Sequence, residues 1–431
     1  MPPADTPRNL AEDVAPREVW AWAMYDFANS GYTTVVITAI FNAYFVAVVA
    51  GRTPWATLAW TAALAVSYAL IVLTAPLVGA YADARAAKKK LLAITTIGCV
   101  LFTGLLWFAG PGALGLAIGC VIASNFFFGT GENLIAAFLP ELADSRAMGR
   151  VSGWGWSLGY LGGLLALGLC LAYLGFAESR GRSAAEAVPA TMLITATLFA
   201  GASLPTFLFL RERAQPHANG AGWARIAWTR LAHTLRHARQ YRDLARFLVC
   251  TVFYQAGIQA VITLAAIYAQ EAMHFTTPQT LVLILVVNVT AAIGAFFFGY
   301  VQDRLGHVRA IGLTLIGWIA MVLLAWRAEG AAPFWLAANI AGLCMGASQA
   351  AGRALVGYLA PADRLAEFFG LWGLAVKLAS IFGPLTYGLS NWLSGGDHRQ
   401  AILVTGSYFV AGLLLLQGVD AERGRRAAVQ T

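Results

Sequence analysis

The sequence predicts an all-α membrane protein, with twelve transmembrane helices in two pseudo-symmetric six-helix bundles. Three observations carry this prediction. Of the 431 residues, 59% are hydrophobic and 12% charged, and the mean hydropathy is +0.66. That balance is too apolar for a soluble chain of this length. Twelve apolar runs each reach the roughly 20 residues needed to cross a bilayer. Finally, a short charged loop occurs twice. Gly79-Ala80-Tyr81-Ala82-Asp83 leads into Lys88-Lys89-Lys90, and Gly299-Tyr300-Val301-Gln302-Asp303-Arg304 leads into Arg309, with Gly to Gly and Asp to Asp both 220 positions apart. Two such loops half a chain apart imply two related halves with equivalent loops on one side of the membrane.

In chain order, residues 1–19 carry Pro2, Pro3 and Pro16 and form a polar cytoplasmic tail with no sign of a cleavable signal. Spans 1 to 6 fall near 20–49, 55–82, 89–109, 112–138, 149–175 and 188–210, making an N-terminal bundle over 20–210. Residues 211–244 form a linker. Spans 7 to 12 fall near 245–270, 279–301, 308–326, 333–359, 365–393 and 400–418, making a C-terminal bundle over 245–418, and 419–431 form a second cytoplasmic tail. With both ends inside, 22 of the 29 Lys and Arg lie on the cytoplasmic side, five lie outside, and Arg353 and Lys377 lie within spans. This bias orients the chain in an inner membrane and accounts for its net charge of +8 without nucleic acid. Cys99, Cys120, Cys170, Cys250 and Cys344 are odd in number, lie in apolar runs and lack metal-clasp spacing, so they read as small buried hydrophobes.

The linker places Trp223, Ile226, Ala227, Leu231 and Leu235 at helical spacing among Arg225, Arg230, Arg236 and Arg239. It is either a basic amphipathic helix on the inner leaflet or a plain tether between halves.

Ionisable groups within spans are costly unless paired or wet, and each is a functional candidate. They are Asp26 in span 1, Glu132 in span 4, Arg353 in span 10, and Lys377 with Glu367 in span 11. Spans 3, 6, 9 and 12 carry none in their cores and are expected to face lipid, while spans 1, 4, 10 and 11 face a cavity or each other. Asp26, Asn29 and Thr33 share one helix face, as do Asn125 with Glu132 and Gln349 with Arg353. Span 7 adds Tyr254, Gln255 and Gln259, and span 8 adds Asn288. These polar stripes line water or a ligand, or form hydrogen-bonded seams between helices. Gly131-Glu132 aligns on Gly352-Arg353 at an offset of 221. Opposite charges at equivalent depths suggest that Glu132 and Arg353 form or exchange ion pairs between the halves, either as a switch or as a fixed bridge. Lys377 can meet a substrate carboxylate or a carboxylate of the protein.

The repeated loops suggest a latch of Gly79, Asp83, Gly299, Asp303, Arg304, Arg309 and Glu367. The glycines allow backbones to approach, and the carboxylates bond loop bases or face the positive N-terminus of a neighbouring helix.

These residues resemble the major facilitator superfamily. The first loop has Ala86-Ala87 where a Gly-Arg pair is usual, and the second, Gly299-x-x-x-Asp303-Arg304-x-Gly306-x-x-Arg309, is close. Trp22-Ala23-Met24-Tyr25-Asp26-Phe27-Ala28-Asn29-Ser30, the glycine-rich run from Gly149 to Gly163, and Gln349-x-x-x-Arg353 followed by Glu367-Phe368-Phe369-Gly370 further resemble the fungal vacuolar amino-acid effluxers and their bacterial relatives. The resemblance implies an alternating-access carrier, not an enzyme and without a cofactor, whose spans 1, 4, 7 and 10 line a path for an amino acid or similar small solute. A monomer driven by protons is expected, and no nucleotide-binding loop is present to make ATP the energy source. Asp26 and Glu132 are then the candidate coupling groups, and Arg353 and Lys377 the candidate anion-recognising groups. A membrane enzyme acting on lipid-linked substrates and a non-transporting sensor or scaffold are the competing classes. No clustered His or carboxylate metal set supports the enzyme.

Overall fold

The computed structural model describes residues 11, 13–51, 53, 55–144, 146–215 and 241–429. Among the described residues, twelve helices are long and apolar enough to cross a membrane. In the first half these are α1 (Pro16–Val49), α2 (Ala59–Arg85), α3 (Lys88–Phe108), α4 (Leu114–Leu142), α5 (Met148–Ser179) and α6 (Ala185–Phe209). In the second they are α7 (Arg242–Ala265), α8 (Val282–Leu305), α9 (His307–Arg327), α10 (Ala331–Leu359), α11 (Ala362–Leu393) and α12 (His398–Leu416). A further helix, α13 (Ala421–Val429), stands where the sequence suggested a cytoplasmic tail. The linker expected over 211–244 lies largely outside the described residues.

Apolar residues all round a helix make it a spanning segment, but the exposed ones still mark the lipid side. Helices α3, α6, α9 and α12 pack chiefly within their own half, as their uncharged cores suggest. The halves meet where α2 packs on α11, α8 on α5, and α10 on α5, with α4 also touching α11.

The two-fold repeat extends to backbone detail. Gly306 takes a φ of +85° between α8 and α9, and Ala86, 220 positions earlier, takes +48° between α2 and α3. Both turns therefore use a left-handed residue to reverse the chain, though only one has the residue without a Cβ. A π-helical turn closes α1 at Phe45–Val49, and another follows α7 at Tyr268–Ala272, 223 positions later. A further π-helical stretch, Thr33–Ala39, interrupts α1 near its middle.

The start of α1, the helix α13 and the 86–87 and 306 turns share one face, here the terminal face. At this face each half ties its first helix to the segment after its last one. Arg213, after α6, holds Glu18 of α1 through Nη1–Oε2 and Nη2–Oε1 contacts of 3.0 and 3.1 Å. Arg423, after α12, holds Asp243 of α7 through Nε–Oδ2 and Nη2–Oδ1 contacts of 2.8 and 2.6 Å. Such forked pairs fix geometry as well as charge, and Asp243 keeps the Arg423 guanidinium above its ordinary pKa. Glu212 caps the start of α3, accepting from Lys88 N at 2.7 Å and Lys89 N at 3.0 Å. The buried Lys88 side chain pairs with Glu141.

Candidate functional site between the two halves

The bonds that cross between the halves form three layers, from mid-depth to the terminal face. The first is a pair of opposite charges, one from each half. Lys377, the thirteenth of 29 residues in the helix Leu365–Leu393, donates to Glu132 of α4 at 3.5 Å. The contact is long, and the Glu132 side chain keeps 30% of its exposure. The Lys377 ammonium also faces the rings of Tyr68 at 5.5 Å and Phe128 at 5.9 Å. Both rings attract a cation through their electron-rich faces. A cation held by a loose carboxylate and two rings can be surrendered to a competing anion more readily than one in a tight fork.

The second layer is such a fork. Arg353 of α10 donates Nη1 to Asp26 Oδ2 at 2.6 Å, Nε to Ser152 Oγ at 3.1 Å, and Nη2 to the Ser152 carbonyl at 2.8 Å. Ser152 of α5 donates its own hydroxyl to the Ala350 carbonyl at 2.8 Å. The guanidinium lies 4.7 Å from the Trp22 ring and 5.4 Å from the Trp156 ring. Arg353 is buried and its partners leave little of it to meet a ligand. A buried guanidinium satisfied in this way bridges α1, α5 and α10.

The third layer consists of two matching carboxylates. Asp83, at the end of α2, accepts from Ala366 N at 3.1 Å and Glu367 N at 2.9 Å, at the start of α11. Asp303, at the end of α8, accepts from Gly149 N at 3.0 Å and Arg150 N at 3.3 Å, at the start of α5. Each carboxylate thus meets the positive N-terminal end of a helix from the other half. The glycines one turn earlier permit this approach. A Cβ on Gly79 would run into the Ala366 carbonyl and Glu367 N, and one on Gly299 would come within 2.7 Å of the Gly149 carbonyl.

The expected exchange between Glu132 and Arg353 is not the arrangement found. Glu132 pairs with Lys377, and Arg353 with Asp26. The repeat explains why. Glu132 and Arg353 are equivalent positions on α4 and α10, and across the seam the repeat packs these helices chiefly against a matching pair in the other half, α11 for α4 and α5 for α10, rather than against each other.

The remaining candidates are distributed around these layers. Gln255 donates to Gln349 at 2.7 Å within the second half, and Asn125 donates to Ser67 at 3.0 Å within the first. Asn29 is buried beside Asp26 on α1. Tyr25 and Tyr254 take equivalent places, with hydroxyls against Gly131 and Gly352 respectively. Tyr25 also bonds Thr96 at 2.8 Å. Thr33 and Gln259 are half-buried, and Asn288 donates to its own helix at Ile284 O. Glu367 is fully buried at the latch, while Arg304 and Arg309 are exposed. Sequence reasoning did not name Trp22, Ser152, Trp156 or Tyr68 as site residues, though the first three lie in the motifs quoted above. Trp22 lies one turn from Asp26 on the same face, which was a usable signal. Tyr68 had none beyond being aromatic.

Comparisons with known proteins bear on the family and the fold. The family model described as "Vacuole effluxer Atg22 like" matches residues 46–429. An uncharacterised MFS-type transporter, YxiO of Bacillus subtilis, is 26% identical over 93% of this chain and 94% of its own length. Autophagy-related protein 22 of Yarrowia lipolytica is 25% identical over 71% of this chain and 56% of its own length. The chain thus spans nearly all of the bacterial relative and about half of the fungal one. Among solved structures, the human organic anion transporter MFSD10 superposes with a TM-score of 0.72 at 15% identity, covering 94% of this chain and all of that one. The proton:xylose symporter XylE superposes with a TM-score of 0.67 at 14% identity, covering 93% of this chain and 95% of that one. At such identities the superpositions speak for the fold, and the family match for the rest: the chain belongs to the vacuole effluxer Atg22-like family and is a transporter of the major facilitator superfamily.

Proposed function

We propose that this transporter moves a small polar solute, an amino acid or a similar zwitterion, across the cytoplasmic membrane by alternating access, with protons as the driving ion. The observation that carries this reading is the Lys377–Glu132 pair. It joins the halves at mid-depth, is partly exposed, and is longer than a tight ion pair. A zwitterion suits it: a solute carboxylate competes for Lys377, and a solute ammonium for Glu132. Protonation of Glu132 releases Lys377 in the same way, so proton and solute act on one contact.

The reading also gives each layer a task. The bundles over 20–210 and 245–418 move as bodies. Asp26, Arg353 and Ser152 carry the motion between them, and Asp83 and Asp303 hold the terminal face shut. The face held shut here is then the cytoplasmic one, as the distribution of Lys and Arg favours. The family name favours efflux as the working direction.

Counterflow into proteoliposomes tests the proposal. Vesicles preloaded with one unlabelled amino acid at a time are expected to accumulate the labelled form when the substrate is present on both sides. Glu132→Gln is expected to keep this exchange and lose accumulation driven by a proton gradient. Exchange of neutral sugars but of no zwitterion, or a proton-driven gradient unchanged by Glu132→Gln, would overturn it.

A further inference from the structure

A groove of about 430 Å³ opens on the outer flank of α8, lined by Phe296, Phe297, Tyr300, Val301 and Arg304. It continues the exposed apolar stripe of this helix, which runs through Val282, Leu285, Val289 and Ile293 to Phe297, the last of these 63% exposed. That stripe faces hydrocarbon. The groove ends at Arg304, an exposed cation in the last turn of α8 at the terminal face, level with the headgroups of the nearer leaflet. An apolar slot with a single cation at its membrane-surface end is complementary to one kind of molecule present at high concentration there, a phospholipid with an anionic headgroup.

The back wall of the groove ties it to the seam. Tyr300 accepts a hydrogen bond from Trp154 Nε1 of α5 at 3.2 Å, and its ring lies 5.5 Å from the Arg150 guanidinium. Trp154 and Arg150 belong to one half and Tyr300 to the other. Tyr300 is also one turn from Asp303, whose carboxylate holds Gly149 N and Arg150 N.

We propose that this groove binds one anionic phospholipid, with its phosphate on Arg304 and an acyl chain along Phe296, Phe297 and Val301. Seated there, the lipid presses Tyr300 against Trp154 and Arg150 and favours the closed terminal face. The site is separate from the Lys377–Glu132 layer and does not depend on what the transporter carries.

Native mass spectrometry of the full-length protein tests it, with phosphatidylglycerol, phosphatidylcholine and inorganic phosphate as probes. Wild type is expected to retain one phosphatidylglycerol about fivefold better than phosphatidylcholine, the effect of one basic residue near a phosphate. Arg304→Gln is expected to erase that preference and Arg304→Lys to keep part of it; excess inorganic phosphate is expected to leave it intact. Equal retention of the two lipids, or a preference that survives Arg304→Gln, overturns the site. Displacement by inorganic phosphate overturns the lipid in favour of a soluble anion. Spin labels at Lys90 and Arg309, both exposed at the terminal face, test the conformational half of the proposal. Phosphatidylglycerol nanodiscs should enrich the short distance relative to phosphatidylcholine nanodiscs, and Arg304→Gln should remove the difference. No difference between the lipids in wild type overturns that half.

Discussion

Asp83 and Asp303 stand 220 positions apart and do the same thing in opposite halves: each accepts two backbone N–H bonds from the first turn of a helix in the other bundle. Opening the terminal face exchanges these four bonds for water. At about 0.5–1.5 kcal/mol apiece they contribute about 2–6 kcal/mol to the closed state. About 2.7 kcal/mol is enough to hold a two-state equilibrium near 99:1. Over most of that range the two carboxylates alone would suffice to hold the terminal face shut, as the proposed latch requires.

The two central ion pairs should respond differently to loss of a partner. Glu132→Gln leaves Lys377 near two aromatic faces and a partly exposed neighbour, so folding stability should fall by no more than about 1 kcal/mol. Proton-driven accumulation should nevertheless be lost. Thermal unfolding in detergent alongside counterflow separates the two effects.

Asp26→Asn should be much more damaging. It leaves the buried Arg353 guanidinium without its counter-charge, a loss of about 3–5 kcal/mol. Arg353→Lys should not restore function, because a single ammonium cannot reach Asp26 Oδ2, Ser152 Oγ and the Ser152 carbonyl together. Membrane yield and apparent Tm check the stability of both variants, and exchange assays check their function.

A close pair of glycines gives a packing test. A Cβ at Gly162 of α5 would collide with the Phe27 carbonyl, whereas one at Gly168, two turns further along, meets nothing within 4 Å. Gly162→Ala should push α1 from α5 and cost about 1–3 kcal/mol. Gly168→Ala should leave Tm unchanged or raise it. The contrast in Tm between the two variants is the readout.

At Ala86 the first loop departs from the second, and the backbone shows the cost. Its φ of +48° places a Cβ in the left-handed region, where its counterpart Gly306 has none. Ala86→Gly should stabilise the protein by about 0.5–1 kcal/mol, the left-handed strain outweighing the added freedom of the unfolded chain. A rise in Tm without change in transport is expected.

Much of this was legible in the sequence. The twelve spans follow from length and apolarity, and the halves follow from the repeated Gly-x-x-x-Asp loops. A carboxylate at a helix end, with glycine one turn before it, read as bonding loop bases or facing a neighbouring helix N-terminus, and both aspartates meet such an N-terminus. The partners of the central charges were not legible. An internal repeat tells which positions are equivalent, but equivalent positions in a two-fold assembly need not touch. Glu132 and Arg353 matched in depth and opposed in sign, yet their helices face α11 and α5. Ser152 and Trp156 were visible only as members of a glycine-rich run, because nothing local marks a serine that will receive a guanidinium some 200 residues away. Arg304 sits beside Asp303 in the chain, but the helical turn carries it round to the membrane flank.

The central claim is that the halves rock, closing one face as the other opens. Two spin-label pairs read in parallel test it most directly: Lys90 with Arg309 at the terminal face, and Arg182 with Glu329 at the opposite face, all exposed positions. In the double variant Asp83→Asn, Asp303→Asn, the first distance should lengthen while the second shortens. If both stay unchanged, or both lengthen together, the halves do not exchange one opening for the other and the account fails.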